Sequence, residues 1–500
     1  MTDNTTNIGF EKQIWETACI LRGNMDAAEY KQVVLGLIFL KYISDKFDEK
    51  FQELLQTGEG QEENHEKYTA DNIFFVPHKA RWNKIALNAH SPEIGKLIDN
   101  AMLLIEKENP RLKGILPKNF ARPELDKRRL SDIVDLFTNV KMIEHGDTRD
   151  ILGRTYEYCL SKFAEQEGKL AGEFYTPACV VQTLVAILQP FEGCVYDPCC
   201  GSGGMFVQSV SFIKNHRGNI NKIRIYGQDS NPTTWKMAQM NLAIRGIKAN
   251  LGSYNADTFF NDCHPTISAD FIMANPPFNL SNWGAHKLQK DARWKYGVPP
   301  TGNANFAWLQ HMISHLSPHG KIGMVLANGS LSSTSGGENE IRKNIIKDDL
   351  ITCIVAMPTH LFYTTQIPVS LWFLSRNKKQ KNKTLFIDAR KMGKAMTRKL
   401  RILTDNEIAK MADTFNKYEN GTLKNISGFC AVATTDEIIQ KNYILTPARY
   451  VTIKEEKKDE EPFSQKMTRL TSELSDLFQQ SHIFETEVQK QLKNIGFETK

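Results

Sequence analysis

The sequence predicts an α/β protein: an open sheet flanked by helices, with an all-helical region before it and one long helix after it. Between about Thr176 and Leu374, short apolar runs alternate with helix-length segments, the pattern of strands and crossover helices in a parallel sheet covered on both faces. Ahead of that stretch, apolar residues recur every three or four positions, as on the buried face of a helix. The length, 500 residues, exceeds what one hydrophobic core supports and predicts two or three domains.

Taken in order, Phe10 to Leu55 reads as helix, with Ile14, Ala18 and Leu21 and then Tyr30, Val33, Leu37 and Leu40 on the apolar positions and Glu and Lys on the others. The polar stretch Gly58 to Lys67 interrupts it. Further helices are expected around Ile94–Ile105 and Leu130–Phe137, so the helical domain is placed at residues 1–145. The sheet domain follows at 146–450. Its strands are expected at Cys194–Tyr196, Ile223–Tyr226, Phe271–Ala274, Ile322–Leu326, Ile351–Ala356 and Val369–Leu374. Two of them run into Gly, Pro and Asp, which is where open α/β sheets place ligands. The basic stretch Arg376–Arg401 is expected to loop out between strands, either solvated or against a DNA backbone. Residues 451–500 comprise a charged linker and a last helix with Met467, Leu470, Leu474, Leu477, Phe484 and Val488 at 3–4 spacing. That helix suits packing on a partner or on its own chain.

Composition narrows the class. A hydrophobic fraction of 41% with 24% charged residues is that of a globular protein in water. Lys and Arg total 63 against 57 Asp and Glu, a charge of +6, which allows a nucleic-acid partner yet is less basic than a domain that grips DNA alone. Contact with DNA shared with another subunit fits that balance. The start, Met1–Lys12, carries no basic, apolar leader pattern, and no charge-free run reaches the roughly 20 residues of a membrane span. The nine cysteines show no disulfide framework and no CxxC pair, which points to a reduced, cytoplasmic protein without structural zinc. No metal is expected, and GxxxxGK[ST] is absent from the sequence, so the chain is not a nucleotide-driven motor.

The chemistry concentrates in three places. Asp197-Pro198-Cys199-Cys200-Gly201-Ser202-Gly203-Gly204 follows an apolar strand and opens onto a helix, so glycines bring backbone close to a ligand beside free helix N–H groups. It lacks the further glycine of the dinucleotide fingerprint. Asp229, after the next strand, can hold ribose hydroxyls, and Asp257, in Asn255-Ala256-Asp257-Thr258, can accept from an adenine amino group. Each acid alone also suits a turn or helix cap. Asn275-Pro276-Pro277-Phe278 closes the strand Asp270–Ala274 and selects the reaction. The amino group of adenine is a poor nucleophile because its lone pair is delocalised. The Asn275 side-chain oxygen and the rigid Pro276 carbonyl can accept its two hydrogens and favour the developing positive sp³ nitrogen. Phe278 supplies a face for an extruded base.

The order Gly172-Glu173-Phe174-Tyr175-Thr176-Pro177, then Asp197…Gly204, then Asn275…Phe278 resembles the amino-methyltransferases of the gamma arrangement. Leu21-Arg22-Gly23-Asn24-Met25, Tyr30-Lys31, Leu35…Asp45, Asn305-Phe306-Ala307-Trp308, Gly336-Gly337-Glu338…Ile341-Arg342 and Phe362-Tyr363…Ile367-Pro368 extend the resemblance to the modification (M) subunits of type I restriction–modification systems, over about residues 8 to 450. The resemblance implies a Rossmann-like methyltransferase sheet, S-adenosylmethionine as cofactor, and methylation of adenine N6 in double-stranded DNA. It further implies that Glu173, Phe174, Tyr175, Thr176, Pro177 and Ala178 wrap the methionine part of the cofactor. Asp197 and the turn Gly201, Ser202, Gly203 and Gly204 contact its carboxylate and sugar. Asp229 binds the ribose and Asp257 the adenine ring, while Asn275, Pro276, Pro277 and Phe278 hold the target base. A separate specificity (S) subunit chooses the sequence, two M chains flank it, and a nuclease–translocase (R) subunit can join. The pair Cys199-Cys200 departs from relatives with small residues such as Ala and introduces an oxidisable site. The alternatives are a protein-glutamine or RNA methyltransferase and an inactive cofactor-binding scaffold; the former usually end the motif in Tyr and lack the N-terminal helices.

Overall fold

The computed structural model describes residues 15–16, 19, 27–139, 156, 158–163, 175–362, 367–397, 400–452 and 463–494. The chain forms two units, Met1–Thr452 and Ile453–Lys500.

In the first unit the helical part contains α1 (Ala27–Thr57), α2 (His65–Ala70), α3 (Trp82–Leu87), α4 (Ile94–Glu108) and α5 (Lys127–Asn139). The expected stripe is wider than the 3–4 periodicity suggests: residues 33–44 of α1 are all buried, and Val33, Leu37 and Leu40 share one core with Ile98, Met102 and Ile105 of α4. Gly95 is small for a reason: a Cβ there would lie 2.2 Å from the Phe120 carbonyl oxygen. The expected helix over Phe10–Leu55 is described from Ala27 onward; most of its first half lies outside the described residues.

The sheet part has α6 (Ala178–Leu188), β1 (Gly193–Asp197), α7 (Gly204–Asn215), β2 (Ile223–Gly227), α8 (Pro232–Ile244), β3 (Ala249–Asn250), β4 (Ala269–Ala274), α9 (Asn305–Ser314), β5 (Leu316–Ala327), α10 (Glu338–Lys347), β6 (Ile351–Ala356), β7 (Val369–Ser375), β8 (Lys383–Asp388), β9 (Lys394–Ala395), β10 (Arg401–Ile402), α11 (Asp405–Glu419), β11 (Cys430–Thr434) and α12 (Thr435–Gln440). The main sheet runs β11-β8-β6-β7-β5-β4-β1-β2-β3. Every expected strand is present. The half from β3 to β5 is parallel, as expected. The other half corrects the expectation: β7 runs antiparallel to both β5 and β6, and β11 antiparallel to β8. β6 and β7 are buried along their whole length, so their apolar runs carry no mark of direction.

The basic stretch also departs from expectation. It does not loop out: Lys383–Asp388 is a strand of the main sheet, parallel to β6, with Leu385, Phe386 and Ile387 buried. Four apolar-leaning residues, Thr384 to Ile387, outweigh the surrounding lysines, which sit at the strand's ends. Farther on, β9 and β10 pair as a separate two-stranded ribbon.

The helical and sheet parts share a wall. Met237, Met240 and Ile244 of α8 belong to the core of the N-terminal helices. The Tyr42 hydroxyl donates to the Ile244 carbonyl at 2.9 Å.

The second unit holds α13 (Phe463–Asn494), 32 residues long. Met467, Leu470, Leu474, Leu477, Phe484 and Val488 are exposed on it at steps of three and four, with one step of seven between Leu477 and Phe484. Among the described residues, no helix is long and apolar enough to cross a membrane.

Candidate active site

The strand β1 lies between β4 and β2, so the crossover connections depart in opposite directions around it, and a crevice opens at the carboxyl ends of β1 and β4. Asp197 ends β1 and Asn275 follows β4. Thr176, Asp197, Cys199, Cys200, Gly201, Ser202, Gly204, Met205 and Asn275 line one small pocket there. Residues separated by up to a hundred positions in sequence therefore converge, and the pocket unites the three motifs.

The glycine turn is shaped by its own backbone. Gly201 and Gly203 have φ of +54° and +79°, the left-handed region that suits glycine. Gly203 caps α7, and a Cβ on Gly204 would meet nothing within 4 Å, so the helix N-terminus is open beside the pocket. Ser202 is anchored through its carbonyl, which accepts from Asn241 Nδ2 of α8 at 2.7 Å.

The acids divide by role. Asp197 is buried; its Oδ1 accepts from the Cys199 N–H at 3.0 Å. Burial, seconded by the Asp229 charge, pushes its carboxyl up to about 8. Asp229 is also buried and braces the pocket: its carboxylate accepts from the N–H of Gly201 at 3.0 Å and of Asn231 at 2.9 Å. Its backbone carbonyl accepts from the Ala256 N–H at 2.9 Å. Asp257 is exposed, and its Oδ1 accepts from the Phe259 N–H at 2.8 Å, closing a local turn. Neither Asp229 nor Asp257 lines the small pocket; they border it from the β2 and β3 side.

Tyr175, Thr176, Pro177 and Ala178 lead into α6, with Pro177 at its N-cap. Glu173 and Phe174 lie outside the described residues. Thr176 reaches across the pocket: its Oγ1 is 3.0 Å from Asn275 Nδ2, which donates to it. The Asn275 Oδ1 is buried with no hydrogen-bond partner. A buried polar atom left unpaired is costly unless a ligand completes it. The unpaired acceptor suits an incoming N–H donor, and Asp197 and the glycine turn supply further polar groups in the same pocket. Pro276 is buried, and Pro277 and Phe278 are half-buried. Phe278 stands edge-on to Phe362, ring centroids 5.9 Å apart.

Sequence reasoning assigned no role to the clamp behind this loop. Asn279, at φ +54°, and the buried Asn305 bond reciprocally: Asn279 N–H to Asn305 Oδ1 at 3.0 Å, and Asn305 Nδ2 to Asn279 Oδ1 at 2.9 Å. The Asn305-Phe306-Ala307-Trp308 segment was visible as a motif, but its purpose needed the fold.

The Cys199-Cys200 expectation is corrected. Cys200 is buried and Cys199 half-buried, and burial together with Asp197 and Asp229 pushes both thiols well above their ordinary value. The thiolate is the oxidisable form, so these shifts disfavour oxidation at the pair. The fold also gathers one Asp–His–His group, Asp262, His311 and His315, where no such cluster was expected.

Comparison with known proteins places the chain in a family. Residues 147–459 match the family model N-6 DNA Methylase and residues 10–137 the HsdM N-terminal domain. The chain is 48% identical over 414 residues to the type I restriction enzyme HindI methylase subunit of Haemophilus influenzae, covering 81% of this chain and 93% of that one. It is 39% identical to the MjaIX methylase subunit of Methanocaldococcus jannaschii, covering 98% and 92%. The fold is similar to the type I methyltransferase subunit from Streptococcus thermophilus, with a TM-score of 0.75 at 24% identity, over 88% of this chain and 98% of that one. The chain belongs to the N-6 DNA methylase family, among the methylase subunits of type I restriction enzymes.

Proposed function

We propose that the chain is the modification subunit of a type I restriction–modification system, transferring a methyl group from S-adenosylmethionine to N6 of an adenine extruded from double-stranded DNA. The observation that carries this reading is Asn275: its amide nitrogen is held by Thr176 while its oxygen is buried and unpaired beside the pocket. An adenine amino group completes that oxygen.

The residues divide the task. Tyr175 to Ala178, with Glu173 and Phe174 before them, hold the methionine part of the cofactor. Asp197 and Gly201 to Gly204 take its polar end and sugar; Asp229 holds the ribose, directly or by bracing the turn, and Asp257 the adenine. When bound, S-adenosylmethionine supplies a methyl group on a sulfonium. Asn275 Oδ1 and the Pro276 carbonyl accept the two N6 hydrogens, which localises the lone pair and aligns it for attack. Pro277 stiffens the loop and Phe278 stacks the base.

Sequence choice falls to a specificity subunit, with a second copy of this chain completing the modification complex and a restriction subunit able to join. Residues 1–145 and the α13 seam are the proposed docking surfaces, and the protein is assigned to the cytoplasm. The test is transfer of labelled methyl to DNA by wild type and Asn275→Ala, each with and without the specificity subunit. Label in N6-methyladenine that depends on both supports the reading. Transfer to protein or RNA, or site-specific methylation by this chain alone, overturns it.

A further inference from the structure

Beneath the crevice, on the β1–β4 face opposite α6, lies a buried polar group that the reaction above does not use. His311 of α9 is its centre. Its Nδ1 is 3.0 Å from Arg293 Nη1 and its Nε2 is 3.0 Å from the Tyr196 hydroxyl. A guanidinium only donates, so Nδ1 must offer its lone pair. His311 is therefore neutral, with its proton on Nε2 and directed at the Tyr196 oxygen. Burial, and then the nearby His315, hold His311 well below the ordinary histidine value, in keeping with that state.

Two histidines one helical turn apart with Asp262 have the composition of a cation site. The wiring opposes one. The Nδ1 lone pair of His311 already serves Arg293, and a metal ion would sit beside a guanidinium. His315 is engaged as well: its Nδ1 donates to the His311 carbonyl at 3.0 Å, and its Nε2 lies 2.8 Å from Asp262 Oδ2 without hydrogen-bond alignment.

The contacts instead close a ring. Arg293, oriented by Asp291 through bonds of 2.9 and 2.6 Å, donates to the carbonyls of Thr258 at 3.2 Å and Phe259 at 2.6 Å. The Thr258 hydroxyl donates to the Pro198 carbonyl at 2.5 Å. From Pro198 the chain runs through Asp197 to Tyr196, which meets His311, which meets Arg293. Asp197 thus sits on a closed circuit that also carries the loop of Asp257.

We propose that Arg293, His311, Tyr196 and Thr258 are positioning residues whose hydrogen-bonded ring sets the spacing of the Asp197 and Asp257 loops and so the affinity for S-adenosylmethionine. This rests on the assignment of the pocket to that cofactor. None of the four touches the reacting atoms, so the effect falls on binding.

The test uses the full chain with its specificity subunit. Tyr196→Phe and Thr258→Val each remove one hydroxyl and keep the packing. Each is expected to raise the KM for S-adenosylmethionine about tenfold, the effect of one hydrogen bond of about 1.4 kcal/mol, with kcat within about twofold; the melting temperature falls as well, because a buried partner is left unpaired. Thr258→Ser restores the wild-type KM. Nitrogen NMR of labelled histidine reads the tautomer without ligand, and an unprotonated Nδ1 on His311 is expected. An unchanged KM in both variants, or a protonated Nδ1, overturns the proposal. A wild-type chain that binds no S-adenosylmethionine overturns the cofactor assignment and the ring's role in affinity together, and the ligand-free tautomer distinguishes that failure from a mistaken wiring.

Discussion

Asn275 Nδ2 donates to Thr176 Oγ1 at 3.0 Å, and in that arrangement the Asn275 Oδ1 is left without a hydrogen-bond partner. On the proposed reading, the tethered nitrogen leaves the oxygen ready for an incoming amine before any DNA arrives. An amide free to rotate would present a donor half the time, and a donor repels the N6 hydrogens.

Thr176→Val removes the tether and keeps the shape. The expected result is a fall in kcat of about tenfold or more, the scale of one preorganising hydrogen bond. Thr176→Ser should recover most of it. Single-turnover methyl transfer measures both, and equal rates for Val and wild type would sink the tether.

Asp197 gives a pH signature. Its carboxyl titrates near 8 in the folded chain against 3.8 ordinarily, so it is protonated at pH 7. A raised folded value means that its contribution to stability is complete below about 3.8 and is lost as pH rises toward about 8. The slope is at most about 1.4 kcal/mol per pH unit. Asp197→Asn should therefore flatten the decline in melting temperature of the cofactor-free chain over that window. A cationic ligand favours the ionised carboxylate, so binding S-adenosylmethionine near pH 7 should release a proton from Asp197. Calorimetry in buffers of different ionisation enthalpy reads the release; none, or one that persists in Asp197→Asn, refutes this assignment.

Phe278 tests base extrusion. Stacking on an aromatic face stabilises a flipped base by about 1–3 kcal/mol. Phe278→Ala should lower the population of flipped base by about tenfold or more, read by 2-aminopurine fluorescence at the target position. Phe278→Tyr should retain it. A Phe278→Ala signal equal to wild type would place the stacking partner elsewhere.

The last helix offers a separable test. Its apolar residues follow steps of three and four, broken only at Ser481, the spacing of a coiled-coil seam. Leu470→Asp with Leu477→Asp should abolish co-purification with the specificity subunit and leave S-adenosylmethionine binding intact. Retained association would exclude the seam as a docking surface.

Strands such as Ile351–Ala356 were readable because a short apolar run between turn residues has few other uses. The two-residue β3 carries no pattern of its own, and β8 was hidden by the lysines on either side of Leu385–Ile387. Strand direction in the β7 region was unreadable because a wholly buried strand looks alike both ways. At the site, Asn275 to Phe278 stood out since Asn-Pro-Pro-Phe after a strand is a specialised combination. Its link to Thr176 spans 99 positions and exists only in the fold. His311 and His315 lay within an otherwise apolar helix, where their spacing matched the core stripe as well as any cluster, and Asp262 gave no local sign of joining them.

Helix α8 faces two ways. Met237, Met240 and Ile244 lie in the core of the N-terminal helices, while Asn241 on the same helix grips the Ser202 carbonyl of the glycine turn. Cutting the chain ahead of the sheet would strip apolar cover from the helix that steadies the turn, so the helical part supports the site without lining it. The two contacts fall within the last two turns of α8, so whatever moves the N-terminal helices bears on the same stretch of helix that holds the glycine turn.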